Sequence, residues 1–419
     1  MGEAPINMLD PETIENPFPV YERLRVEAPV HYAPEVKMYV LTRYEDIERV
    51  VRAPELFTKG EDVQSQDAIV KHAESRALYE QRGWKRTMPL AENIPKHRPY
   101  RDLLDPILST VAVRKREGFI RTTVNELIDS WIDRGAIEFM ADFAIPLPVR
   151  VIGDYIGFPP SDGAQLKKWS SEFAVVFGPG VPLEREIEAV NAHIDLQHYI
   201  HDAMRERRRQ PREDIISHLL VAEYDDPELG RKRKLTDVEI IGIVDHILAG
   251  GNESTAHALG NGLSLLFAHP EIHTRLQREP SKISAFVEEA LRLESPTQGL
   301  FRFVTQDVEI GGVAIPQGSM LNIRFAAANR DPARFASPAM LDLDRAPTER
   351  HLAFSQGEHH CPGASLSRLE QNCAWEILLD RLSDIRPAPG KNDFRHAPSF
   401  ILRGLQQLHI EFDKAPARG

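Results

Sequence analysis

The stretch LTDVEIIGIVDHILAGGNESTAHALGNGLSLLFAHP, Leu235 to Pro270, constrains the fold more than any other part of this chain. Thr236 and Glu239 form a capping box at one end and Pro270 stops the other. The interval predicts a helix of roughly eight turns, long enough to cross the molecule. Gly250 and Gly251 sit in its middle, where each glycine is about 1 kcal/mol less favourable than alanine. Two such residues side by side call for a packing or functional reason.

Helical periods dominate from about Pro95 to Leu293, as in Ile120, Val124, Ile128 and Trp131 with Phe119, Thr123 and Leu127. Ile283, Phe286, Val287, Ala290 and Leu291 mark one apolar face of a further helix, capped by Ser281 and stopped by Pro296. Near the start, PVHYAPEVKMYVLTRYEDIERVV moves from short β-like runs into a helix, and further β-like runs occupy the segment RFVTQDVEIGGVAIPQGSMLNIRF, which Gly311-Gly312 and Pro316-Gln317-Gly318 punctuate. Lys59 to Asn93 is polar and reads as loop and short helix; a helix resumes at about Ala364 to Leu382. With no repeat and no linker in the 419 residues, the expectation is one domain over 1–419, mainly α. A smaller β portion lies at about 25–60 and 300–325, and helical portions at about 95–293 and 364–382.

Charge and composition exclude some functions. Acidic residues outnumber basic ones, 63 to 51, and the net charge of −12 repels nucleic acid. Neither a signal peptide nor a long uncharged apolar run is visible, so the expectation is a cytoplasmic protein with no membrane span. The two cysteines, Cys361 and Cys373, cannot build a disulfide scaffold.

Cys361 lies in FSQGEHHCPG, behind two histidines and between Gly357 and Gly363. Three readings compete. It is a small buried hydrophobe, or a zinc ligand with His351, His359 and His360, or a thiolate bound to haem iron. In the last case the glycines allow backbone close to a flat cofactor, and the following helix points its N-terminus at the sulfur.

The ten-residue segment resembles the Phe-x-x-Gly-x-His-x-Cys-x-Gly haem loop of the cytochrome P450 superfamily, matching at Phe354, Gly357, His359, Cys361 and Gly363. AGGNESTA, EALR, ANRDPARF and LDLDR precede it in the family's order, PKHRPYR is similar to the haem-propionate helix, and RGLQQLHIEF to the C-terminal β segment. The resemblance implies a triangular helical prism with haem b, iron protoporphyrin IX, buried between the long distal helix and the cysteine loop. It implies Cys361 as the axial iron ligand, and His97, Arg101, Arg302 and His359 as propionate partners. Gly250 and Gly251 let the helix approach the cofactor. Glu253 and Ser254 correspond to the acid and alcohol of the proton relay, with serine where threonine is usual and Thr255 as a substitute hydroxyl. Glu289, Arg292 and Arg345 correspond to a buried structural network. Ser355-Gln356 departs from the pattern, in which glycine often follows the phenylalanine.

By the same resemblance, the activity is monooxygenation: one oxygen atom from O2 enters a compact hydrophobic substrate by hydroxylation or O-dealkylation. Electrons come from NAD(P)H through a ferredoxin reductase and a ferredoxin, for which Arg114, Lys115 and Arg116 offer a basic patch. The pocket draws on Trp84 to Leu90, Phe173, Val176, Phe177, Ile247, Gly250, Thr297, Gln298, Leu300 and Phe400. Gln298 offers one polar contact. A peroxide-driven or isomerising enzyme, a non-catalytic haem sensor and a zinc-dependent interaction protein are the rival readings.

Overall fold

The computed structural model describes residues 6–60, 69–174, 176, 181–346 and 348–416. In chain order the helices that matter below are α1 (Tyr44–Arg52), α2 (Ala73–Arg82), α3 (His97–Leu104), α4 (Glu117–Trp131), α5 (Gly163–Ala174), α6 (Leu183–Arg209), α7 (Asp237–Ala268), α8 (Ile283–Leu293) and α9 (Ala364–Arg381). Strands β1 (Val30–Ala33), β2 (Met38–Leu41) and β3 (Phe57–Thr58) lie near the start. Strands β4 (Ala136–Glu138), β5 (Glu223–Asp226) and β6 (Arg231–Lys234) interrupt the helical stretch. After α8 come β7 (Leu300–Val304), β8 (Val308–Ile310), β9 (Val313–Ile315) and β10 (Met320–Ile323), and β11 (Leu382–Pro387) and β12 (His409–Lys414) follow α9. No helix among the described residues is long and apolar enough to cross a membrane.

The chain forms two compact units: Met1–Thr58 with Glu117–Ile145 and Ser254–Gly419, and Lys59–Arg116 with Pro146–Glu253. In the first, five strands run in the order β1-β2-β10-β7-β3, with β2 and β10 parallel and the other pairs antiparallel. Leu41, Ile47, Val50, Phe57, Leu321, Ile323 and Phe335 form the core against this sheet. A second sheet, β11-β12-β4, closes around the RGLQQLHIEF segment, whose His409 to Phe412 enter β12. Trp375 of α9 is 1% exposed and meets Phe286 of α8 edge-on at 5.4 Å. Small residues let α7 come this close: a Cβ on Gly262 would stand 2.8 Å from Trp375, and one on Gly260 2.5 Å from Met140 Sδ.

Within the second unit, the start of α7 is the expected capping box. Glu239 Oε2 accepts from the Thr236 backbone N–H at 2.7 Å, and the Glu239 N–H donates to Thr236 Oγ1 at 3.3 Å. Gly242 of α7 packs against the Thr87 carbonyl, where a Cβ would come within 2.5 Å, and one on Gly251 would stand 3.0 Å from Ile152.

Two local expectations need correction. Ser281 does not cap α8; it lies in a 3-10 turn, Pro280–Lys282, whose Lys282 N–H donates to the Glu279 carbonyl at 2.9 Å, and Lys282 is the N-cap. The backbone turn thus does the work assigned to the serine side chain. Secondly, the helical stretch contains β4 and the β5–β6 hairpin. Arg231–Lys234 shows no apolar alternation; cross-strand pairing of Asp225 with Lys232 and of Glu223 with Lys234 sets opposite charges face to face instead.

Candidate functional site

The loop that carries Cys361 is held by backbone geometry in the first unit. Gly357 has φ +73°, and a Cβ there would lie 2.3 Å from the Val51 carbonyl oxygen, so both the conformation and the space demand glycine. The Cys361 N–H donates to the Phe354 carbonyl at 3.0 Å, and the Ala364 N–H to the Cys361 carbonyl at 3.3 Å. α9 begins at Ala364, so the cysteine sits just ahead of a helix N-terminus, which favours negative charge on its sulfur. A Cβ on Gly363 would stand 3.9 Å from Cys361 Sγ. Phe354 is clamped by the Arg368 guanidinium, 4.5 Å from its ring centroid, and Arg368 in turn pairs with Glu288 at 2.6 Å. Ser355, where the family pattern often has glycine, takes a left-handed φ of +58°. Cys361 is half-buried, whereas Cys373 is buried and desolvation pushes its thiol up to about 12.

Arg302 on β7 is 3% exposed, and burial alone pushes its guanidinium down to about 10. It donates to the Phe301 carbonyl at 2.7 Å and pairs with no carboxylate among the described residues. An uncompensated buried cation is costly. Its pairing with an anion brought by a ligand removes that cost. A thiolate-prone cysteine and a lone buried guanidinium in the same unit fit an iron porphyrin with acidic side groups. His359 stands in the 3-10 turn Gly357–His359 of the cysteine loop. In the second unit, α3 buries both His97 and Arg101, and Arg101 Nε donates to Asp105 at 2.8 Å.

Between Ile240 and Leu263, α7 is buried except at His246, Ala249, Gly250, Gly251, Glu253, Ser254 and His257. Apart from Gly251 at the margin, these fall at i, i+3, i+4, i+7, i+8 and i+11, one stripe of the helix. A Cβ on Gly250 would meet nothing within 4 Å. Glu253 lies 3.9 Å from Lys167 Nζ of α5, within the second unit. Thr255 is off the stripe and 2% exposed; its hydroxyl donates to Ser367 Oγ of α9 at 3.0 Å, which also accepts from Gln371 Nε2 at 3.2 Å. The substitute hydroxyl is therefore engaged, while Ser254 shares the open face with Glu253.

Glu289 joins its two arginines. Arg292 donates to both of its carboxylate oxygens at 2.7 and 2.9 Å, and Arg345 Nε donates at 2.9 Å. Burial would raise the Glu289 carboxyl, but the two guanidinium groups outweigh it and hold the pKa below the usual value. Arg292 also reaches the carbonyls of Asn329, Pro338 and Met340, so the triad pins the chain between β10 and the cysteine loop.

The expected pocket residues divide. Phe173 and Val176 pack into a core cluster with Ile69, Tyr79 and Ile194, and Phe173 stacks on His193 at 4.0 Å. They pack there because neighbouring aromatic and aliphatic side chains of α2 and α6 cover them. Gln298 is 3% exposed and already satisfied: Tyr21 donates to Oε1 at 3.3 Å and Nε2 donates to the Ser295 carbonyl at 2.8 Å. Ile247 is 8% exposed, at the edge of the open stripe. Thr297 bridges Leu402, Leu300 is partly buried against the core of the five-stranded sheet, and Phe400 lies under the Arg324 guanidinium at 3.7 Å. Phe177 is outside the described residues. In the basic patch only Arg114 and Lys115 are exposed; Arg116 is tied to Asp154 at 3.1 Å and lies over the Tyr155 ring.

Sequence reasoning missed Glu370, which is 1% exposed, has no hydrogen-bond partner for Oε2 among the described residues, and is driven well above the ordinary carboxylate range by burial. The signal was present as a lone acid three residues after Ser367 on the buried side of α9.

Comparison with known proteins agrees with this geometry. The family model described as "Cytochrome P450" matches residues 179–284 and 283–403. "Biotin biosynthesis cytochrome P450" of Bacillus subtilis (strain 168) is 30% identical over 413 residues, covering 96% of this chain and 98% of that protein. The solved structure of cytochrome P450 CYP109Q5 from Chondromyces apiculatus superposes with TM-score 0.84 at 31% identity, over 98% of this chain and 99% of that one. A structure of P450BioI in complex with an acyl carrier protein ligated to hexadec-9Z-enoic acid has TM-score 0.83 at 30% identity, over 96% and 99%. The chain belongs to the cytochrome P450 family of haem-containing monooxygenases.

Proposed function

We propose that this protein uses O2 to hydroxylate or O-dealkylate a compact hydrophobic substrate, with electrons from NAD(P)H delivered through a ferredoxin reductase and a ferredoxin. The observation that carries the reading is Cys361 at a helix N-terminus in the same unit as a buried Arg302 that lacks a carboxylate. Cys361 would ligate the haem iron, and Arg302 and His359 would hold propionates, with His97 and Arg101 as the partners carried over from the family. When bound, the haem supplies electron transfer and oxygen activation, the thiolate donating electron density.

The chain's own part is proton supply and exclusion of water. Glu253 and Ser254 share the open stripe of α7, so the carboxyl can pass a proton to the hydroxyl and the hydroxyl to the reacting oxygen. The Lys167 ammonium, 3.9 Å from Glu253, holds the carboxylate in place between transfers. Thr255, engaged by Ser367, takes a structural part. The molecules found with similar structures differ widely: one neighbour was solved in complex with corticosterone and another with an acyl carrier protein ligated to hexadec-9Z-enoic acid. An apolar skeleton is common to both.

For the electron donor, the cysteine loop itself offers a better surface than Arg114–Arg116. A groove of about 790 Å³ runs beside Phe354–Gly357; its lining holds Arg52, Arg292, Arg334, Arg345, Arg350 and Arg368 against Glu48, Glu288, Glu289, Asp342 and Glu349. Arg334 and Arg350 pair with no carboxylate among the described residues, which favours an acidic ferredoxin there. The dependence on NAD(P)H fits a cytoplasmic location. Oxygen consumption and product formation in the reconstituted chain test the reading. Turnover that requires O2, ferredoxin and reductase supports it; turnover with peroxide alone and none with the redox partners contradicts it.

A further inference from the structure

We infer that His246 is the polar recognition point of the substrate site, exchanging a hydrogen bond with a neutral oxygen, a ketone or a hydroxyl, on an otherwise hydrocarbon substrate. The inference rests on the haem-thiolate reading above and adds to it a substrate class.

His246 stands one helical turn before Gly250, on the same stripe of α7 as Glu253 and Ser254. Among the stripe residues ahead of Glu253, it alone carries a hydrogen-bonding side chain, the others being Ala249 and Gly250. Its Nδ1 is buried with no hydrogen-bond partner among the described residues. A buried imidazole nitrogen left unmade costs free energy that a leucine of similar size would not incur. The ring as a whole is only partly buried, so turning it lets the nitrogen meet a ligand oxygen at the stripe and recovers that cost, whereas packing alone gives no reason for the nitrogen.

The charge state narrows the ligand. Desolvation chiefly, together with the nearby cations Lys59, Arg86 and His97, pushes His246 down to about 4 against the opposing pull of Asp245. At neutral pH the ring is an uncharged donor and acceptor. The charge nearest along the chain is already engaged: Asp245 lies 3.9 Å from Arg86, which also sits over the Phe173 ring, and 3.5 Å from His193, which meets Tyr79 at 2.7 Å. An uncharged ring offers a carboxylate no counter-charge of its own. A neutral carbonyl or hydroxyl therefore matches His246 better than an anion.

The test measures binding through the haem spin-state shift in wild type, His246→Phe and His246→Gln. The probes are matched sets on adamantane, dodecane and androstane skeletons, each as hydrocarbon, ketone, alcohol and carboxylate. In the wild type at least one ketone or alcohol should bind more tightly than its parent hydrocarbon. His246→Phe should weaken that compound about fivefold, the size of one neutral hydrogen bond, and leave the hydrocarbon unchanged or tighter. His246→Gln should retain part of the preference. An unchanged preference in His246→Phe overturns the inference, as does a wild type that prefers the carboxylate or ranks no ketone or alcohol above its hydrocarbon. Failure of the haem-thiolate reading looks different: all three proteins would then lack the thiolate spectrum from the start.

Discussion

Thr255 Oγ1 donates to Ser367 Oγ at 3.0 Å, joining α7 to the helix that follows Cys361. The bond gives the Thr255 hydroxyl a structural partner on α9. Thr255→Val should cost about 1 kcal/mol of stability through the lost hydrogen bond and leave the ratio of product to oxygen consumed nearly unchanged. Ser254→Ala should instead lower that ratio severalfold. Thermal melts and oxygen-electrode measurements on both variants check this, and a coupling defect confined to Thr255→Val would reverse the assignment.

Glu289 compensates two guanidinium groups that are themselves buried, Arg292 at 1% exposure among them. Glu289→Ala leaves both without a counter-charge, a loss of about 3–5 kcal/mol for a broken buried pair. Little haem-loaded protein should be recovered. Arg345→Ala should be milder, because Arg292 still holds Glu289 with two bonds. Yield and haem content per mole of protein provide the measurement.

Ser355 holds φ +58° in the loop ahead of Cys361, a conformation that side chains disfavour. Ser355→Gly removes that strain at the expense of extra freedom in the unfolded chain, and should stabilise the protein by about 0.5–1 kcal/mol. A higher melting temperature with an unchanged haem spectrum is the expected result.

Much of this architecture could be read in advance where side-chain pattern and backbone geometry speak the same language. The Thr236–Glu239 capping box, the helix that begins at Ala364 and the β-like runs around Gly311-Gly312 all formed as the residues suggest. Short polar elements could not be read, because Arg231–Lys234 pairs through backbone, charge and the Arg233 contact with the Tyr224 ring rather than through an apolar alternation. Within the site, the sequence identified residue types but not directions. Gln298 looked available and is consumed by Tyr21 and Ser295, while His246, which no motif singles out, lies on the open stripe. Which way a helical side chain points depends on what packs against the other faces, and that is a tertiary property.

Acid should unfold the start of α7. Burial alone would raise the Glu239 carboxyl, but hydrogen bonds from Arg233, Tyr100 and Thr236 outweigh it and lower the pKa to about 2, from an ordinary 4.5. Because the folded value is depressed, the carboxylate's contribution is complete above about pH 4.5 and is lost as the pH falls toward 2. Glu239→Gln should therefore destabilise the protein at pH 7 by about 2 kcal/mol after allowance for solvent screening. Its deficit relative to the wild type should shrink steadily below pH 4.5, as followed by denaturant unfolding at each pH.

The central claim is that the Cys361 sulfur, as a thiolate, binds the haem iron, and the absorption spectrum of the ferrous carbonyl adduct tests it most directly. The account predicts the red-shifted Soret band of thiolate ligation in the wild type and its loss in Cys361→His. A freshly purified wild type that takes up haem but shows a stable histidine-type Soret band, or that takes up none while Cys361 alkylates freely, would contradict it.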